Sequence, residues 1–256
     1  MNLQAYLQRI NYTGPLDPTA ETLRALHQAH LLAVPFENLD IHLGRPIIPD
    51  EIAFFHKIVE RRRGGFCYEL NGLFAALLRE LGFDVTLLSA RVAREGGGFG
   101  PEFDHLTLLV QLEERWLADV GFGESFREPL RLDDPGEKVQ ALGTYRLTHD
   151  GDDWTYWERD ESTGWQAQYR FTLQPRQLAD FAEMCHYMQT SPESHFTQKR
   201  ICSRATLEGR VSLSDMRLII TTHGQRQERE LTSQEYKSAL GEYFGIDLSD
   251  TPPGGV

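Results

Sequence analysis

The chain has 256 residues, 40% of them hydrophobic and 25% charged, the balance of a globular protein long enough to bury a substantial core. Its formal net charge of -12, with no Lys/Arg tract, argues against nucleic acid or an anionic membrane as partner. Three scattered cysteines (Cys67, Cys185, Cys202) make neither a disulfide framework nor a Cys/His zinc site, so no metal is expected.

The opening MNLQAYLQRINYTG lacks the pattern of a secretory signal, and no apolar run approaches the roughly 18 residues of a membrane span. A cytoplasmic protein with free thiols is therefore expected. Leu3, Tyr6, Leu7 and Ile10 predict a first helix, broken by Gly14-Pro15. A second helix should start with Thr19 or Thr22 as N-cap and end at Val34, before Pro35. Residues 35–49 read as a proline-punctuated connection, and 51–63 as one helix with a basic C-terminal end, stopped by Gly64-Gly65. Residues 67–83 carry the clearest amphipathic stripe, Leu70, Leu73, Phe74, Leu77 and Leu81, with Gly82 as cap.

The periodicity then shortens. Strands are predicted at 84–93, 105–112 and 115–123, with a glycine-rich loop at 95–103. A hairpin at 145–160 turning at Asp150-Gly151, and a strand at 165–173, extend an antiparallel sheet or small barrel. Helix returns at 174–189. Three short strands follow, with turns at Glu208-Gly209 and His223-Gly224, and then a final helix capped by Ser233. The terminal PPGGV is expected to lack order.

Cys67 stands at a predicted helix start behind Gly64-Gly65. Helix-terminal N–H groups favour a thiolate, and glycine lets substrate approach the sulfur. The competing reading is a buried packing thiol. His105 opens an apolar strand beside the glycine-rich loop. Asp119, embedded in WLADVGFG, needs a partner if buried, and a hairpin would carry it back toward His105. Helix-start Cys, strand-start His and strand-end Asp, in that order, match the papain-like arrangement for acyl transfer. Residue chemistry alone leaves hydrolysis and transfer to an amine both open. His27 and His30 lack a third ligand for a metal. His42 is a candidate pocket residue, Glu124 is read as facing either the cleft or solvent, and Arg91 and Arg94 as either phosphate neighbours or solvated surface groups.

RGGFCYELNG, HLTLLV and WLADVGFG, together with YLQRINYTGP, VPFENLDIHLG, MCHYMQTSPESHFTQKRIC and LTSQEYKSALGEYFGI, resemble the arylamine N-acetyltransferase family along nearly the whole chain, in its bacterial form. The resemblance implies an α+β fold with a papain-like thiol core: a helical bundle (1–84), an antiparallel β-barrel (85–175) and an interdomain helix with an α/β lid (176–256). It implies Cys67 as nucleophile, His105 as base and Asp119 as its orienter, in a ping-pong transfer from acetyl-CoA to arylamines, arylhydrazines or arylhydroxylamines. Phe36, Phe122, Gly123 and Val92 become substrate-binding candidates. Arg63 becomes a structural support, expected to pair with Glu37. Acetyl-CoA is the implied co-substrate, and a monomer or homodimer the implied state. The alternatives are an amide synthase of the same fold that closes an aromatic polyketide, and a papain-like thiol hydrolase.

Overall fold

The computed structural model describes residues 1–248. The PPGGV segment therefore lies outside the described residues.

The N-terminal third is helical: α1 (Leu3–Arg9), α2 (Ala20–Ala33), α3 (Leu39–His42), α4 (Glu51–Phe55) and α5 (Cys67–Glu80), with the short strand β1 (Phe36–Glu37) between α2 and α3. The Thr19 hydroxyl caps α2 by accepting the Thr22 N–H at 3.2 Å, and α2 ends at Val34 as the following proline requires. Leu70, Leu73, Phe74 and Leu77 of α5 are wholly buried, and Gly82 beyond its end takes φ +87°, a conformation that favours glycine. The single helix predicted over 51–63 does not form. After α4 the chain widens into a π turn, His56–Glu60, and Arg62 adopts φ +53°. The break turns Lys57 and Arg63 inward, where buried carboxylates pair with them.

Eight strands build the next unit: β2 (Asp84–Val92), β3 (His105–Gln111), β4 (Arg115–Ala118), β5 (Leu130–Arg131), β6 (Lys138–Gln140), β7 (Gly143–Asp150), β8 (Asp153–Asp160) and β9 (Gly164–Phe171). They form one antiparallel sheet in the order β5-β4-β3-β2-β9-β8-β7-β6, curled into a nearly closed barrel. The barrel interior is a cluster of Leu88, Leu117, Phe126, Tyr145, Tyr156, Tyr169 and Phe171. Its outer face, through Leu87, Leu106 and Leu108, shares a core with α5. The strand predicted over 115–123 stops at Ala118, because the Asp119 backbone N–H and C=O face the His27 ring instead of a ladder partner. Strands β5 and β6 had no signal in the sequence.

The last third begins with a 3-10 turn (Leu178–Phe181) leading into α6 (Ala182–Thr190), where one helix over 174–189 was predicted. After α7 (His195–Gln198), strands β10 (Ile201–Thr206), β11 (Gly209–Ser214), β12 (Arg217–Thr222) and β13 (Gln225–Glu230) pair in sequence, and α8 (Ser233–Phe244) packs on them. Strand β1 joins the same sheet by pairing Phe36 with Ser203, so the segment read as a connection is the sheet's first strand. The cap of α8 is Thr232, one residue before the expected Ser233. Its hydroxyl accepts the Glu235 N–H at 3.4 Å and the Glu235 carboxylate accepts the Thr232 N–H at 2.8 Å.

Candidate active site

Cys67 is the first residue of α5 and only 4% exposed. Burial pushes its thiol well above the ordinary range; the Leu106 N–H on the sulfur opposes this, while Cys185, Asp119 and Asp104 add to it. A helix start alone therefore does not ionise this thiol, contrary to the expectation from the sequence. Ionisation calls for a proton acceptor at the sulfur.

His105, the first residue of β3, lies on the strand whose next N–H meets that sulfur. Its Nε2 is 2.6 Å from Asp119 Oδ2, which leaves Nδ1 as the ring nitrogen free for another partner. The two residues are not cross-strand neighbours: Leu108 pairs with Ala118, so His105 lies nearer the start of β3 than Thr107, the position that faces Asp119. Side-chain reach closes the gap.

Asp119 is fully buried, and burial alone would raise its carboxyl. His105, the Asn71 amide at 2.8 Å and the Gly121 N–H at 3.0 Å outweigh that and hold it below the usual carboxylate range. Asn71 was missed in the sequence. It sits four positions after Cys67 on the same face of α5, and that spacing was the available signal. Its Nδ2 also donates to Leu106 O at 2.6 Å, and its Oδ1 accepts the Val120 N–H at 2.9 Å. A Cβ at Gly121 would lie 2.9 Å from Cys67 Cα, so only glycine lets this loop pass so close to the sulfur's backbone.

Gly64 and Gly65 have a different role from the one expected. A Cβ on Gly64 would fall 1.9 Å from Pro35 O, and one on Gly65 would fall 2.7 Å from Glu69 Cβ. The Glu37 N–H donates to Gly65 O at 2.8 Å. Gly64 thus admits the chain's own 35–37 segment, and Gly65 the Glu69 side chain, rather than a substrate. Gly64→Ala should destabilise the fold by about 3 kcal/mol. Urea denaturation checks this, and an unchanged midpoint would refute the packing role.

Arg63 pairs with Glu37 through Nε at 3.0 Å and Nη2 at 2.7 Å, and with Asp40 at 3.1 Å. Lys57 joins Asp40 at 3.0 Å and Glu69 at 2.8 Å. Glu69 also accepts the Phe66 N–H at 3.1 Å, which ties this buried charge network to the residue before Cys67. Burial pushes the Glu69 carboxyl up to about 7 against the pull of Lys57.

Aromatic rings gather beside His105: Phe122 at 5.1 Å and Tyr169 at 5.2 Å between ring centroids. Gly123 follows Phe122 at φ +83°. Val92 faces Tyr169 across β2 and β9, and its N–H reaches the Asp104 carboxylate at 3.3 Å. Phe36 belongs to a neighbouring ring group, 6.1 Å from Phe196, whose ring in turn lies 5.6 Å from Phe66. His42 is exposed rather than lining a pocket. Glu124 is largely exposed, 4.0 Å from Arg210 Nε. Arg91 is paired with Glu102 at 2.7 Å. An open groove of about 830 Å³ at Arg115, His149 and Trp154 shares no residue with this site. Among the described residues, no group of His, Cys, Asp and Glu could hold a metal ion, and no helix is long and apolar enough to cross a membrane.

Behind Asp119, His27 of α2 is wholly buried. Burial pushes its imidazole down to about 4, against the opposing hydrogen bond to Arg127 O. Since the unfolded value is near 6.5, the unfolded chain binds more protons below that pH, and stability contributed by a neutral His27 is lost as pH falls. The stability advantage of the wild type over His27→Gln should therefore shrink by about 2 kcal/mol between pH 7 and pH 5. Paired urea melts at the two pH values measure it, and a constant advantage would show that the folded imidazole protonates normally.

The family model described as N-acetyltransferase matches residues 19–252. The arylamine N-acetyltransferase of Escherichia coli (strain K12) is 36% identical over 98% of this chain and 91% of its own length. The solved structure of Mycobacterium marinum arylamine N-acetyltransferase in complex with CoA superposes with a TM-score of 0.91 at 35% identity, covering 98% of this chain and 95% of that one. Proansamycin X synthase of Amycolatopsis mediterranei (strain S699) is 34% identical over 93% of this chain and 95% of its own length.

Proposed function

The chain belongs to the arylamine N-acetyltransferase family, and from that premise we propose that Cys67 carries an acetyl group from acetyl-CoA to the nitrogen of an aromatic amine, hydrazine or hydroxylamine. The observation that carries this reading is that Gly121 packs against the Cys67 backbone while Asn71, one turn further along the same helix, holds Asp119, whose carboxylate lies 2.6 Å from His105. His105 takes the thiol proton, and the sulfur attacks the thioester carbonyl. The carbon–sulfur bond to CoA breaks, and the CoA thiolate leaves with a proton. The amine nitrogen then attacks the acetyl-cysteine. A carbon–nitrogen bond forms, the cysteine sulfur leaves, and His105 relays the proton lost by nitrogen. Asp119 stabilises the imidazolium in both halves. Phe122 offers the aryl ring an aromatic wall, with Phe36, Val92 and Gly123 as further contacts.

The test is intact-mass spectrometry. Mixing with acetyl-CoA alone should leave the chain heavier by one acetyl group, and an aromatic amine should discharge it. Failure to form the adduct at any pH from about 6 to 9 would refute the reading. Discharge by water as fast as by amine would instead indicate a thiol hydrolase. The relative named proansamycin X synthase favours a second reading, an amide synthase that closes an aromatic polyketide onto its own amine without CoA. A Cys67 that is acylated by a polyketide thioester but not by acetyl-CoA would select it.

A further inference from the structure

One imidazole holds both ends of the loop that leaves β4 and carries Asp119, Phe122 and Gly123. His27 Nδ1 lies 2.9 Å from Arg127 O, and Nε2 lies 3.2 Å from Asp119 N and 3.0 Å from Asp119 O. The carbonyl of Arg127 only accepts, so Nδ1 must carry the proton to bond it. In that neutral tautomer Nε2 is an acceptor and takes the Asp119 N–H. The other tautomer would bond only Asp119 O, leaving Nδ1 facing a carbonyl lone pair and the Asp119 N–H without its acceptor. The ring is fixed in place as well. It stacks on Phe126 of the same loop at 5.7 Å and 15°, and meets the edge of Phe74 of α5 at 6.0 Å.

We propose that His27 is a positioning residue that clamps the loop from Asp119 to Arg127, and so sets the Asp119 carboxylate against His105. This rests on the role given to Asp119 above. The clamp joins α2 to the barrel where the loop must pass within contact of Cys67, and a carboxylate displaced by about 1 Å costs on the order of 100-fold in rate. The acceptor at Nε2 is the part that matters for Asp119; the donor at Nδ1 secures the far end of the loop.

Three substitutions separate these roles. His27→Gln can place a carbonyl oxygen where Nε2 lies, keeping an acceptor for Asp119 N–H. His27→Asn reaches only the position of Nδ1, and His27→Leu reaches neither. Two rates are read: Cys67 alkylation by iodoacetamide at pH 7 without acetyl-CoA, and acetyl transfer to an aromatic amine. In His27→Leu both should fall, transfer by about 100-fold. His27→Gln should recover to within about 5-fold of wild type while His27→Asn does not, at matched urea stability. Equal rates in the Gln and Asn variants would overturn the proposal, and this comparison stands even if the Leu variant does not fold. Alkylation needs no acetyl acceptor, so it decides the clamp even in a chain that acetylates no amine. A wild-type Cys67 no more reactive than an ordinary free thiol would overturn the clamp together with the nucleophile.

Discussion

Cys67→Ala is expected to abolish acetyl transfer, with a loss of about four orders of magnitude or more, because it removes the thiol proposed to carry the acetyl intermediate. Cys185 and Cys202 are also buried free thiols. Cys185 is pushed up to about 12 by burial, with Glu69 adding to the rise, and Cys202 is raised well above the ordinary range by burial. The Cys67 thiol is raised too, so burial does not distinguish the three. What does is the His105–Asp119 pair, held beside Cys67 by Asn71 of the same helix and by Gly121 against the Cys67 backbone. The variant should keep its circular dichroism spectrum and melting temperature, since removing one sulfur leaves α5 packed. It should gain no mass with acetyl-CoA, whereas Cys185→Ala should acetylate as the wild type does. Adduct formation in Cys67→Ala would assign the chemistry to another residue.

Asp119→Asn should lower kcat/KM by about three to four orders of magnitude while leaving the fold intact. The reason lies in the donors around the carboxylate. Asn71 Nδ2 and the Gly121 N–H both point at Oδ1, so the new side chain must keep its carbonyl oxygen there. Its amide nitrogen then faces His105 Nε2, where Oδ2 had been. A donor at that place makes Nε2 an acceptor, and the ring proton moves to Nδ1. The nitrogen left to the cysteine then already bears a proton and cannot take the thiol's. Iodoacetamide alkylation of Cys67 near pH 7 should slow in parallel. An Asn variant that alkylates at the wild-type rate would remove Asp119 from the mechanism.

Much of this site was legible in the sequence because its signals are local. Gly-Gly before an amphipathic stripe marks a helix start, and β-rich runs mark strand ends. These put Cys67 at a helix start and His105 at a strand start, where the structure has them, while Asp119 lies just beyond the strand assigned to it. The pairing of Arg63 with Glu37 was named from two motifs far apart in the chain, and the structure joins them. The role of Gly64 was misread because the same lack of a side chain serves a substrate or a backbone equally well, and only the distance to Pro35 O separates the two. Asn71 and His27 gave weak signals. An amide or an imidazole on a helix is common, and its importance here comes entirely from what lies opposite.

The sequence by itself determined α1, α2 and the start of α5, the barrel strands β2, β3, β7, β8 and β9, and the turns at Glu208-Gly209 and His223-Gly224 in the last sheet, where three strands were predicted and four form, and it named the three residues proposed to carry the chemistry. Periodicity, caps and turn residues act within a few positions of one another, so they can be read in one dimension. Only the tertiary structure decided that β1 joins the last sheet, that β4 stops at Ala118, that the thiol of Cys67 is raised rather than lowered, and that Asp119 is held by Asn71 from α5 and His27 from α2. Burial and hydrogen-bond partners are set by segments far apart in the chain, 48 residues for Asn71 and Asp119 and 92 for His27 and Asp119, and nothing local records which of them will meet.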